Sequence, residues 1–230
     1  MRLLRYAHLV ALDWLYVTVR QLQKFLSRDT GGGYLTPPEP HKVPVVIIPG
    51  IYEPWQFMKP IIEALYHNGH PVHVLDGLGY NTGSIPAMAQ IVRQYLDHQP
   101  LEHAVIVAHS KGGLIGKYFL AHHNQDGQVI QLVAINTPFS GSPYARFVPI
   151  PGVSMFTPTA QYVRELLANR LLNTSITSIY STYDPNIPQG SHLEGATNVS
   201  IDTVGHFRIV NNPAAHQAVL AAVQDVATRS

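Results

Sequence analysis

The sequence predicts an α/β fold, a mainly parallel six-stranded sheet flanked by helices, and three observations carry that expectation. From residue 43 onward, short β-branched runs alternate with helix-length amphipathic segments, the pattern of strand–helix–strand units joined by right-handed crossovers. The first run, VPVVII at 43–48, is apolar at every position, as a parallel strand covered on both faces must be. The chain also suits one large core, with 230 residues, 46% of them hydrophobic and 13% charged.

The elements follow in order. In residues 1–28, Leu3, Leu4, Ala7, Val10, Ala11, Trp14, Leu15, Leu22, Phe25 and Leu26 recur three and four apart, which predicts an amphipathic helix. Arg2, Arg5, Asp13, Arg20, Lys24 and Arg28 fall mostly on its other side. Arg5, His8 and Asp13 interrupt the apolar positions, so a secretory leader is not expected. Residues 29–42, DTGGGYLTPPEPHK, read as a linker. Strands are then expected at 43–48, 71–76, 103–108, 129–135, 175–181 and 196–201. Helices are expected at 56–67, 84–98, 112–123 and 213–227. The interval 136–160 carries five prolines and several aromatics without periodicity; it reads as a short cap within a body spanning 43–230, and such long connections are often functional.

Composition excludes several chemistries. A net charge of +1 gives no strong field, which argues against nucleic-acid binding. Zero Cys removes disulfides, zinc–thiolate sites, Fe–S clusters and thiol nucleophiles. The 13 His form no H-E-x-x-H or comparable ligand pattern, so neither a metal nor another cofactor is expected. No stretch of ~18 apolar residues is present to span a bilayer. The 1–28 helix is expected to pack through Trp14, Leu15, Leu22 and Phe25 on the body or on a second subunit, leaving Ser110 independent of it. Peripheral membrane contact is the alternative; with neither a secretory leader nor a membrane-spanning stretch expected, the sequence favours a cytoplasmic or peripheral-membrane location without fixing the compartment.

The most informative stretch is AVIVAHSKGGLIGKYFL, 104–120. A strand runs into Ala-His-Ser-Lys-Gly and then a helix, and a sharp turn of this kind holds a serine exposed beside a base and an oxyanion site. Small residues two before and two after, Ala108 and Gly112, keep the crowded turn free of collisions. The pattern A-x-S-x-G is one methyl away from G-x-S-x-G.

With those residues in view, the chain resembles an α/β-hydrolase, in particular small bacterial lipases and esterases, from about Val43 to Val226. AHSKGGL is similar to the family's nucleophile elbow, IPGIYEPW (48–55) lies where the family has its oxyanion loop, and NTPFSGSP (136–143) resembles its Thr-Pro…Gly-Ser signature. Pro49-Gly50 departs from the commoner His-Gly. The resemblance implies a reduced core without leading antiparallel strands.

It also implies a triad in the order Ser, acid, His. Asp184 follows the expected strand 175–181, and His206 follows 196–201, so both lie where parallel strands end. They are the expected partners of Ser110, with His192 and Glu194 as alternatives in the same connection. Asp202 is expected to orient the His206 loop, and His109 to pack beneath the elbow. The expected oxyanion donors are the backbone N–H groups of Ile51 and Lys111, with the Lys111 ammonium turned to solvent and the Tyr52 hydroxyl a weaker third donor. Tyr52, Trp55, Phe139, Tyr144, Phe147, Met155 and Phe156 are expected to bind an apolar acyl group. The reaction expected is hydrolysis of a small-molecule or lipid carboxylic ester through an acyl-enzyme. An acyltransferase or thioesterase would use the same triad, and a catalytically silent binding or membrane-surface module is the reading from another class.

Overall fold

A computed structural model describes residues 2–26, 31–37, 42–99 and 101–227. Six strands, β1 (Val45–Ile48), β2 (Val72–Val74), β3 (Ala104–His109), β4 (Val129–Ile135), β5 (Ile176–Tyr183) and β6 (Thr197–Val204), form one sheet in the order β2-β1-β3-β4-β5-β6. Every pairing is parallel. All carboxyl ends therefore lie along one edge, and the strand order reverses between β1 and β3, where open α/β sheets place their ligands.

Strand alternation sorts the core into two halves. Val46, Ile48, Ile106, Ala108, Leu132 and Ala134 face α3 (Ile85–Asp97), α4 (Lys111–His122) and α5 (Gln161–Ala168). Val45, Ile47, Val105, Val107, Val133 and Ile135 face α2 (Lys59–His67) and α6 (Pro213–Ala227). With both faces buried, β1 and β3 have no exposed residue. Helix α3 begins after Ser84, whose hydroxyl accepts from the Ala87 N–H, with Pro86 in its first turn. The cap at 136–160 is two short 3₁₀ turns, Pro143–Phe147 and Val153–Phe156. Helix α5 was not expected.

Helix α1 (Arg2–Leu26) packs on the α2/α6 side, with its faces the reverse of the sequence expectation. Asp13 is buried, and Tyr16 and Val17 pack on the core. The Tyr16 hydroxyl donates to the Phe57 carbonyl at 3.1 Å, and the Gln21 amide donates to the Tyr52 carbonyl at 2.7 Å. Leu12, Leu15, Val19 and Leu22 face outward; Trp14, though more than half exposed, tilts against Phe207 with ring centroids 5.5 Å apart. Of the expected packing residues, Leu15 and Leu22 are thus on the wrong side, and the Phe25 side chain lies outside those described. Part of the expected linker is packed as well: Tyr34 meets Trp55 and Tyr66 edge-on. No described helix is long and apolar enough to cross a membrane.

Candidate active site

Strand β3 delivers Ser110 to the sheet edge in a backbone conformation with φ 51° and ψ −118°. A non-glycine residue there costs on the order of 1–3 kcal/mol, so neighbours must hold it. The Ser110 N–H donates to the Ile135 carbonyl at 2.8 Å, and the Ser110 carbonyl accepts from the Gly113 N–H at 3.1 Å. Gly112 and Gly113 allow the turn to close: a Cβ on the first would collide with the Ile48 carbonyl oxygen, and one on the second with Thr137 Oγ1. The elbow is therefore wedged between the ends of β1 and β4.

Two further strand ends bring their loops to the same place. Ser110 Oγ lies 2.9 Å from His206 Nε2, and His206 Nδ1 lies 2.6 Å from Asp184 Oδ2. The other Asp184 oxygen accepts the N–H groups of Asn186 at 2.8 Å and Ile187 at 3.2 Å, which fixes the carboxylate plane. Burial disfavours charge on His206, but attraction and hydrogen bonding from Asp184 outweigh it, with smaller help from Glu53 and Asp13, and leave its pKa raised. All three side chains are shielded; Ser110 is 9% exposed, His206 and Asp184 4%.

The alternatives lie elsewhere. His192 is exposed, and Glu194 is an exposed partner of Arg170 at 3.1 Å. Asp202 is exposed on β6 and makes no described hydrogen bond to the His206 loop, whose N–H groups go instead to Asp13. That corrects the expectation for Asp202; the loop is oriented from α1, across 193 positions of sequence.

Of the expected oxyanion donors, Lys111 follows Ser110 directly and Ile51 lies just past β1, the strand that pairs with β3. Among the described residues nothing accepts from the Ile51 N–H, and the Lys111 N–H, opening α4, has no intrahelical acceptor. The Lys111 ammonium is not in solvent. It is buried, donating to the carbonyls of Asn81 and Gly83, and burial lowers its pKa to about 8. It thereby ties the elbow to the loop after β2. Asn81 adds a second tie, its amide donating to the Pro49 carbonyl at 2.7 Å. The Tyr52 hydroxyl donates to the Pro151 carbonyl at 3.0 Å, so it links the loop after β1 to the cap.

Four polar residues beyond the expected set stabilise the constellation. Asp13 accepts from the His206 loop. The Asn136 amide donates to the carbonyls of Gly205 and His206 at 3.1 and 3.0 Å, while its oxygen accepts the Ser181 N–H at 2.9 Å. Glu53 Oε2 accepts the Gly50 N–H at 2.8 Å and lies 2.8 Å from His109 Nδ1. Asn81 is the fourth. His109 packs under the elbow as expected, stacked on Phe57 at 5.8 Å. Asn136 sits in the NTPFSGSP signature and Glu53 in IPGIYEPW, while Asp13 stands out as a charge interrupting the apolar positions of the first helix; Asn81 had no such signal.

The seven residues expected against substrate divide. Trp55, Phe139 and Phe156 are buried, Trp55 on the α2/α6 side of the sheet and Phe139 and Phe156 on the α3/α4/α5 side. Tyr144 and Phe147 stand exposed on the cap, Phe147 at 69%. Met155 is partly buried, and the cap tip at Gly152 lies against Ile51 Cδ1. Among the described residues no group of three or more His, Asp or Glu is placed to hold a metal ion.

Comparison to known proteins bears on the fold. A family model described as "alpha/beta hydrolase fold" matches residues 43–206. The chain belongs to the α/β-hydrolase family. Among solved structures, it is similar to the mature form of Bacillus licheniformis lipase BlEst2, at 16% identity over 81% of this chain and 95% of that one, with a TM-score of 0.57. A monoacylglycerol lipase from Paleococcus ferrophilus matches at 13% identity, 82% and 97% coverage and a TM-score of 0.57. The mouse alpha/beta hydrolase domain-containing protein 10 matches at 14% identity, 83% and 92% coverage and a TM-score of 0.58. At such identities the likeness is one of α/β-hydrolase fold.

Proposed function

We propose that this α/β-hydrolase is a serine hydrolase that cleaves carboxylic esters with apolar acyl groups, using Ser110, His206 and Asp184. The observation that carries the reading is the unbroken chain from Ser110 Oγ through His206 to Asp184, at 2.9 and 2.6 Å, on a strained elbow. Ser110 Oγ attacks the ester carbonyl carbon while its proton passes to His206 Nε2; Asp184 keeps the other ring nitrogen protonated and steadies the imidazolium. The carbonyl oxygen becomes an anion between the Ile51 and Lys111 N–H groups. Collapse expels the alcohol, which leaves with the proton from His206. Water then repeats the sequence on the acyl-enzyme and releases the acid.

The apolar preference rests on the cap. Tyr144, Phe147, Val148 and Ile150 are exposed there, and the cap meets the oxyanion loop through Tyr52 and Gly152. Acyl chains lying against these side chains gain roughly 0.8 kcal/mol per buried CH₂. The test is a series of p-nitrophenyl esters of increasing acyl length, run on the wild type and Ser110→Ala. The reading expects kcat/KM to rise from acetate to medium chains and to fall by at least 10³ in the variant. A variant within tenfold of wild type would overturn the nucleophile, and a preference for acetate would overturn the substrate class.

A further inference from the structure

Asp13 lies midway along α1 and is 1% exposed, although it is a carboxylate on a surface helix. Its Oδ2 accepts the His206 N–H at 2.8 Å, and its Oδ1 accepts the N–H groups of Phe207 and Arg208 at 2.9 and 2.7 Å. These groups open the 3₁₀ turn Arg208–Asn211, whose own preceding residue supplies no side-chain cap. A carboxylate remote in sequence thus does the work of an N-cap. Gly205 fits this contact: its φ is +128°, and a Cβ there would come within 2.5 Å of Asp13 Oδ1. In the next peptide unit, whose Phe207 N–H also reaches Asp13, His109 Nε2 and the Asn136 amide both donate to the His206 carbonyl, each at 3.0 Å. The backbone of His206 is gripped at its N–H and at its C=O.

We infer that Asp13 is a positioning residue for ester hydrolysis, holding the His206 backbone where Nε2 meets Ser110 Oγ, so that α1 is part of the active-site support. The inference rests on the Ser110–His206–Asp184 reading. It makes Ser110 dependent on a segment that the sequence alone left separate from it. The grip acts through position and through charge. The charged and titratable groups around His206 are Asp184 at the end of β5, Glu53 and His109 beneath the ring, Arg208 in the same loop and Asp13 from α1. Asp184, Glu53 and Asp13 each favour the imidazolium that forms as Ser110 loses its proton.

The test uses the full-length chain. Asp13→Asn keeps the shape, but whichever way the amide turns, its NH₂ faces a backbone N–H, and the loop must shift. Displacements near 1 Å cost about 10² in rate. The expected result is a kcat about 100-fold lower with KM within twofold, and an acid limb of the kcat/KM profile moved to lower pH. Tyr16→Phe removes a different anchor of the same helix; it should lower Tm and leave kcat and the limb unchanged. If Asp13→Asn does not fold, Asp13→Glu, which keeps the charge but displaces it by one methylene, should show the same loss of kcat at retained KM. A folded Asp13→Asn, or in its place Asp13→Glu, with kcat within threefold of wild type and an unmoved limb would overturn the inference and leave Asp13 a helix anchor. Failure of the triad reading has a separate signature, hydrolysis that survives Ser110→Ala.

Discussion

His109 Nε2 donates to the carbonyl oxygen of His206 at 3.0 Å, so the residue before Ser110 holds the backbone of the histidine that faces Ser110 Oγ. Its other ring nitrogen faces Glu53, which in turn accepts the Gly50 N–H in the loop after β1. One buried imidazole therefore connects three strand ends: β1 through Glu53, β3 through its own backbone, and β6 through His206. Registering those ends to one another is what a hydrolase of this kind needs from its scaffold.

That connection has an energetic consequence. His109→Ala removes the partner of a buried carboxylate, a change that typically costs about 3–5 kcal/mol. Urea unfolding should show a loss in that range, and Glu53→Gln in the same background should add much less than it does alone. Additive effects in the double-mutant cycle would mean that the two side chains do not act as a pair.

With His206 as the proposed base, its raised pKa sets the expected pH dependence of ester hydrolysis. The neutral imidazole is the base, so kcat/KM should rise with pH through a limb lying above the ordinary histidine value of about 6.5. Asp184→Asn removes the largest influence raising that pKa, so the limb should move to lower pH while the rate falls by about 10⁴. A limb that stays in place in the variant would show that Asp184 does not govern His206.

Lys117 predicts a different pH effect, one on stability. It is buried on α4 with its ammonium donating to Asn173 Oδ1 at 2.6 Å, and burial lowers its pKa to about 8. Between pH 8 and the unfolded value of about 10.4 the unfolded chain binds more protons, so this group adds stability as pH rises. Lys117→Met lacks that gain. Denaturation at pH 7 and pH 10 should therefore show the variant faring better relative to wild type at pH 7, with the difference moving toward wild type at pH 10. An equal difference at both pH values would contradict the burial argument.

How much of this was legible in the sequence depended on whether the signal was local. The central strands β1 and β3 were readable because continuous β-branched runs of this length suit burial on both faces of a sheet. The elbow was readable because Ala108, Ser110 and Gly112 answer a steric demand within five residues. Helix α5 was missed because only Val163 and Leu166 are buried on it, directly after a proline-rich connection. The α1 faces were assigned by hydrophobicity, yet Asp13 decides them, and its partners are N–H groups of residues 206–208 that no local pattern exposes. Lys111 was sent to solvent because a lysine normally goes there; two backbone carbonyls in the loop after β2 reversed that. Trp55 lies in the expected oxyanion stretch, but its ring turns into the core beside Tyr34.

The most direct test of the central claim is covalent labelling with a fluorophosphonate, followed by peptide mapping of the modified residue. Such a probe reacts only with a serine whose base and oxyanion donors are in place. One phosphonyl group per chain is expected, on Ser110, with a rate of labelling that collapses in His206→Ala. Labelling at another residue, or an unlabelled wild-type protein that still hydrolyses esters, would contradict it.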